Sequence, residues 1–385
     1  LLASSAASDV YKRQFEDYGL FTQVEQLNKT ALKAHGLDKS GYLYKVNSFD
    51  FHRYEDTIKL ADDPDYNQAN FEGMLEIKGD SDHTKLIEML DALNDESQKI
   101  DNVLDTYFDT ENLVYWLAFQ ILTGNCDTQN RNCYLYSPLN SKVWYILDWD
   151  NDGMLRKLEL SLTGFSDYAS WERGVSNYWG NVLFNRALRS KAFRSELDRA
   201  VKDLRSYMTE ARLAKMIKHY REVTESLVFA SPDTDNLPVT KDQYEQIAAA
   251  IPSEIEENYK SYCESYKKPM PFYIGVPQID NGKLRMNWDA SYDFKARDIR
   301  YTVELARDYA ISDVLFKAED VLLPEVTCDA PDAGQYFVRV RATNSDGYTQ
   351  DAFDYYVTDD GKHYGMKCFY VQDGGKVVED TYEEG

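Results

Sequence analysis

Three side chains in one stretch of the sequence, Asp127, Asn132 and Asp150, have the types and spacing for metal-assisted proton transfer. Asp127 and Asn132 form a D-x-x-x-x-N pattern, and Asp150 follows after two β-rich runs. A carboxylate that stays ionised can orient a hydroxyl and accept its proton as the oxygen attacks. An amide oxygen and a second carboxylate are hard ligands for Mg2+, which keeps its other positions for phosphate oxygens and water. The roles assigned are Asp127 as base and Asn132 and Asp150 as metal ligands. The bare spacing is loose, and Asp and Asn also make turns. The elements around the three residues decide between these readings.

Those elements lie in order between Leu113 and Gly153. The run LVYWLAFQILTG is apolar on nearly every face, which describes a helix buried all round. Asp109 or Thr110 can cap its start, and Gly124 sits where a left-handed C-terminal residue belongs. A polar loop follows, and then YLYS and VWYIL, joined through Pro138, Asn140 and Ser141, read as a hairpin. Buried helix, loop with D-x-x-x-x-N, hairpin and a further Asp is the order of parts in a protein-kinase active site. GNCDTQNRNCYLY followed by WYILDWDND resembles the signature of CotH-type spore-coat kinases. YGLFTQVEQLNK and LFNRALRSKAFRSEL extend the likeness over about 15–266. The resemblance implies an atypical Ser/Thr protein kinase that uses ATP and Mg2+, with Mn2+ or Ca2+ as alternatives. It assigns the catalytic Asp to Asp127, the loop Asn to Asn132 and the metal-binding Asp to Asp150. Cys126 and Cys133 flank the loop where the family has no fixed cysteine.

A rival pattern uses some of the same residues. Asp148, Asp150, Asp152, Gly153 and Glu159 fit D-x-D-x-D-G-x5-E, the EF-hand calcium loop. An EF-hand needs a helix running into the loop, and Val143–Leu147 is β-branched and aromatic instead. Arg156 also occupies the ninth loop position, where an oxygen ligand or water is wanted. Calcium binding at 148–159 stays the lesser alternative. Asp148 and Asp152 then serve as neighbours that tune or extend the Mg2+ site, with Asp152 counted among its ligands.

At 385 residues the chain can bury two sizeable cores. Its net charge of −23 argues against nucleic acid or an anionic membrane as partner, since both need basic surfaces. Five cysteines are too few for a disulfide scaffold and lack the paired spacing of a zinc site. No apolar run approaches the roughly 20 residues of a membrane span. Leu1–Gln14 reads as a non-native leader resembling translated adapter sequence, and it is set aside.

From Phe15 onward, YGLFTQVEQ alternates as a strand, and LNKTALKAHGLD follows as a helix stopped by Gly36. In the family this strand leads into the nucleotide hinge, which places Glu25 and Gln26 beside the adenine. The phosphate-covering lobe and its lysine would precede that strand, so the kinase-like domain reads as truncated. Lys45 reads as a solvated strand end. Residues 48–80 are polar with short ordered pieces, and Ser81 caps a helix over SDHTKLIEMLDALND. His52 and His83 read as solvated. LSLTGFSDYASWERGVSNYWGN takes the place of an activation or substrate-binding segment, or of a surface loop. Helical spacing then dominates 182–230, and a further helix is expected over 241–262. KKPMPF at 267–272 reads as a linker. Beyond it, alternating strands at 272–358 resemble a fibronectin type III sandwich, with Trp288 as core tryptophan and Tyr336 near the tyrosine corner. Residues 359–385 read as an acidic, Gly-containing tail, with one more hairpin or a frayed end as the alternatives.

The fold class expected is α+β: a mostly helical kinase-like C-lobe at 15–266 with a catalytic hairpin, then an all-β sandwich. The function expected is phosphorylation of Ser/Thr in secreted, coat or cell-surface proteins, with the sandwich contacting such proteins. The alternative is a non-catalytic coat or cell-surface scaffold.

Overall fold

The computed structural model describes residues 18–164, 168–359 and 361–380, plus a short backbone ladder of β1 (Ala7–Ser8) with β2 (Phe15–Glu16). Residues 1–6 and 9–14 of the expected leader lie outside the described residues. The chain divides into two units, Leu1–Ser166 with Asn181–Asn258, and Asp167–Gly180 with Tyr259–Gly385. Helices fill much of the first and antiparallel sheets the second, so the fold class is α+β. No helix among the described residues is long and apolar enough to cross a membrane.

The first unit opens with α1 (Lys29–Ala34), capped by the Asn28 side chain and followed by Gly36 at φ 73°. Next come β3 (Tyr42–Val46), α2 (Gln68–Met74), β4 (Leu75–Ile77), α3 (Thr84–Asn94) and α4 (Ile100–Tyr107). The expected buried helix is α5 (Thr110–Thr123), and the hairpin is β5 (Cys133–Ser137) with β6 (Tyr145–Asp148). The hairpin does not stand alone. It extends β3 and β4 into one antiparallel sheet in the order β4-β3-β5-β6. After α6 (Lys157–Leu162) come α7 (Val182–Arg189), α8 (Lys191–Tyr207), α9 (Glu210–Val228) and α10 (Lys241–Ser265), the last belonging to this unit through Asn258. α5 is the hub: α8 packs along it, and Trp116 stacks on Phe184 of α7 with ring centroids 5.7 Å apart.

In the second unit, a three-stranded sheet is built from β7 (Gln278–Asp280), β8 (Lys283–Asn287) and β11 (Glu325–Asp329), with β8 central. The larger sheet runs β10 (Val314–Val321), β9 (Ile299–Ala306), β12 (Gly334–Asn344), β16 (Met366–Val371) and β17 (Val377–Glu379), with β13 (Thr349–Asp351) also on β12. β14 (Tyr355–Thr358) and β15 (Gly361–Tyr364) form a separate hairpin. Leu284 and Met286 of β8 share one apolar core with Val303, Val338 and Phe369 of the larger sheet, and Trp288 is buried in it. Two sheets closing on alternating inward side chains make a sandwich.

Several expectations are corrected. Residues 18–26 form no strand, and Phe21 and Val24, whose alternation suggested one, are each 56% exposed. The helix expected from Ser81 starts at Thr84, where Asp82 caps the Thr84 N–H and His83 is left-handed at φ 64°. His83 is buried, not solvated. The 267–272 linker is no loose tether, because Met270 and Phe272 are buried and Phe272 belongs to the sandwich core. Residues 361–379 are not a tail. Met366 and Cys368 are buried on one face of β16 and Phe369 and Val371 on the other, which carries β16 into the larger sheet, and the acidic residues lie beyond it. Within the 160–181 stretch, expected as an activation or substrate-binding segment or a surface loop, residues 168–180 pack into the second unit, with Trp171 donating to Ala352 O at 3.2 Å.

Candidate active site at the open end of the hairpin

α5 is the base of the site. Asp109 accepts from the Asn112 N–H at 2.9 Å, which satisfies one of the orphan donors at a helix start. At the other end Gly124 is left-handed at φ 66°, and a Cβ there would lie 2.7 Å from Asn258 Nδ2. That turn throws the chain into a short 3-10 segment, Cys126–Thr128, which carries Asp127. The loop is then pinned from three sides: Asn125 accepts from Asp127 N, Phe49 N donates to Asn130 O at 2.7 Å, and Asn181 Nδ2 donates to Gln129 O at 2.9 Å.

The register of the hairpin brings the two proposed metal ligands to the same end. Cys133, the first residue of β5, pairs with Asp148, the last of β6. Asn132 and Asp150 therefore both leave the sheet at its open end. Both are left-handed, at φ 57° and φ 54°. Asn and Asp enter this region more readily than other non-glycine residues, because their short polar side chains hydrogen-bond locally. Asn132 Nδ2 donates to Asp127 Oδ2 at 2.8 Å, which ties two of the three expected residues directly. Arg131 Nε lies 3.6 Å from Asp127 Oδ1, in an exposed pair of little energetic weight. Gly153 closes the arrangement: a Cβ there would meet Asn125 Oδ1 at 2.7 Å and Asp127 Cβ at 3.6 Å. Glycine is needed because the loop after β6 presses against the loop after α5.

The two loops are fastened beneath by amides whose role the sequence alone does not show. Gln120, 1% exposed, donates to Asp148 Oδ1 at 2.9 Å and Asn151 Oδ1 at 3.1 Å. Asn125, 2% exposed, donates to Gln120 Oε1 at 3.0 Å and Asn151 Oδ1 at 3.3 Å. Their signal was present as the one amide inside LVYWLAFQILTG and as the Asn after Gly124. Burial raises the Asp148 carboxyl above its ordinary range, while hydrogen bonds from Gln120 and Trp116 pull it down. The residue as a whole is solvent-exposed, so its carboxylate faces inward at an open rim.

A calcium loop at 148–159 does not fit this geometry. A strand, β6, enters the loop where a helix is required. Both Glu159 oxygens accept from Arg156, each at 2.7 Å, and Asp148 is engaged by Gln120. Among the described residues, no three His, Cys, Asp or Glu side chains gather as a metal site. A donor set of one amide and two carboxylates falls outside that grouping, and Asp150 and Asp152 are both exposed at the loop.

The family model described as "CotH kinase protein" matches residues 6–262. The chain belongs to the CotH kinase family. No curated protein matches it. Among solved structures, the chain is similar to the twitchin kinase region from C. elegans (Fn31-NL-kin-CRD-Ig26), at 19% identity over 25% of this chain and 20% of that one. The TM-score of 0.19 is too low for the likeness to bear on the fold. In this CotH kinase chain Glu25 and Gln26 are exposed in an irregular stretch, and Glu25 is hydrogen-bonded to His35 at 2.7 Å. The structure gives them no hydrogen bond to the loops of Asp127 and Asp150, although neighbouring Leu27 packs on the aromatic sheet face with Trp149. Cys126 and Cys133 are free thiols, and burial pushes that of Cys133 far up.

Proposed function

We propose that the first unit transfers the γ-phosphate of ATP to Ser/Thr hydroxyls of protein substrates. The observations that support this reading are the Asn132–Asp127 hydrogen bond and a hairpin register that sends Asp150 out at the same end as Asn132, in a chain of the CotH kinase family. Asp127 orients the acceptor hydroxyl and takes its proton. Asn132 spends its Nδ2 on Asp127, so its Oδ1 remains an acceptor suited to a hard cation. With Asp150, and Asp152 alongside, it would hold Mg2+, which when bound neutralises phosphate charge. Glu25 and Gln26 border the adenine, next to Leu27 on the sheet face. The substrates are secreted, cell-surface or coat proteins.

The second unit we read as a fibronectin type III-like module. Its β7-β8-β11 sheet faces the larger one, Trp288 lies in the shared core, and Tyr336 OH donates to Asp332 O at 2.9 Å, four residues upstream, as a tyrosine corner does. Such a module contacts other proteins at the cell surface or coat.

Radiolabel transfer from ATP to a basic Ser/Thr protein tests the catalytic reading. Asp127→Ala is expected to lower turnover by at least about 100-fold while leaving the melting temperature unchanged. Equal turnover in parent and variant would remove the assignment.

A further inference from the structure

Lys45 is not the solvated strand end that its sequence suggests. It sits inside β3, paired with Glu76 of β4 on one side and Tyr134 of β5 on the other. Glu76 is directly across the ladder, yet Lys45 does not use it: Glu76 is bridged to Lys78 instead. The Lys45 side chain turns the other way, and its Nζ stands 5.6 Å from the centroid of the Trp149 ring. Tyr134 and Trp149 meet edge to face at 5.4 Å, which builds the floor it crosses. Trp149 immediately precedes Asp150, and Tyr134 lies two positions from Asn132. The ammonium is therefore directed along the sheet face toward the end where Asn132 and Asp150 leave it.

The electrostatics of this position are incomplete. Lys45 is half-buried, and among the described residues no carboxylate pairs with it, in a chain of net charge −23. Partial burial of a charge is unfavourable unless a counter-charge offsets it. An indole face supplies only about 0.5–2 kcal/mol. A cation that passes over an available Glu and lies on the sheet face leading to the end where Asn132 and Asp150 leave it is complementary to an anion held at that end.

We propose that Lys45 is the cation of a polyphosphate subsite, pairing with the phosphates of the nucleotide bound at the open end of the hairpin. This rests on the kinase reading above and deepens it. A nucleoside would gain nothing from Lys45, whereas inorganic tripolyphosphate contains the whole of the chemistry it recognises.

Calorimetric titration of the intact chain in Mg2+ with ATP, inorganic tripolyphosphate and adenosine tests this, in the parent, Lys45→Met and Lys45→Arg. Loss of one charge-assisted contact is expected to weaken ATP and tripolyphosphate at least about tenfold in Lys45→Met. Adenosine binding and the melting temperature should stay as in the parent, and Lys45→Arg should bind tripolyphosphate within a few-fold of it. ATP binding by Lys45→Met at parental strength overturns the subsite and leaves the nucleotide reading intact. An equal loss for adenosine also overturns it, since Lys45 would then act only by packing on Trp149. A parent chain that binds neither ATP nor tripolyphosphate overturns both proposals.

Discussion

His83 has no exposed surface, its ring lies 4.0 Å from that of Phe71, and both nitrogens meet tyrosine hydroxyls: Nδ1 with Tyr44 at 2.9 Å and Nε2 with Tyr66 at 3.0 Å. Burial lowers its pKa to about 4, against the opposing pull of Asp82 and Asp80. The folded value lies below the ordinary 6.5, so the unfolded chain binds the proton more readily between the two. Stability from this residue is fully present above pH ~6.5 and falls as pH drops toward 4, by up to about 3 kcal/mol. Urea unfolding of the parent should lose that much more than His83→Gln across this window, and parallel pH profiles would refute it. From sequence a lone histidine beside a loop reads as solvated, because its partners, Tyr44 and Tyr66, are distant in the chain. Asp127, Asn132 and Asp150 stand out in the sequence by type and spacing. The left-handed backbone of Asn132 and Asp150 does not, since it is imposed by loops that meet only in the fold.

At the scale of elements, α5 and the β5-β6 hairpin were legible because an all-apolar run ended by Gly124 and two β-branched, aromatic runs are strong local signals. The amide fastening beneath them was hidden, since one Gln in an apolar helix says nothing about its partners. Gln120→Leu keeps the volume and the helix but strips donors and acceptor from Asn125, Asp148 and Asn151. We expect it to cost about 1–3 kcal/mol in urea unfolding. It should also reduce phosphoryl transfer, because the loops of Asp127 and Asp150 are no longer tied to one support. Undiminished stability would show that the network is dispensable. Residues 18–26 failed as a strand for the converse reason: alternation favours a strand only where a face is buried, and Phe21 and Val24 have none.

Across the whole molecule, the change from 3.6-fold to two-fold periodicity announced two units of different class, and the structure bears out an α+β chain. The edges of those units were less legible. Pro269 and the lysines before it look like a linker, but Met270 and Phe272 are core residues. Acidic composition likewise concealed β16, whose partner strand β12 lies some thirty residues earlier. The strong negative charge raises one question at this scale, whether an acidic chain can hold a metal with a polyanion. Electron paramagnetic resonance of Mn2+ with and without ATP answers it. The parent should bind the Mn2+·ATP complex, and Asn132→Ala and Asp150→Ala should each release Mn2+ to the free signal while keeping the parental melting temperature. Mn2+·ATP held as tightly by both variants as by the parent would contradict the site at the open end of the hairpin.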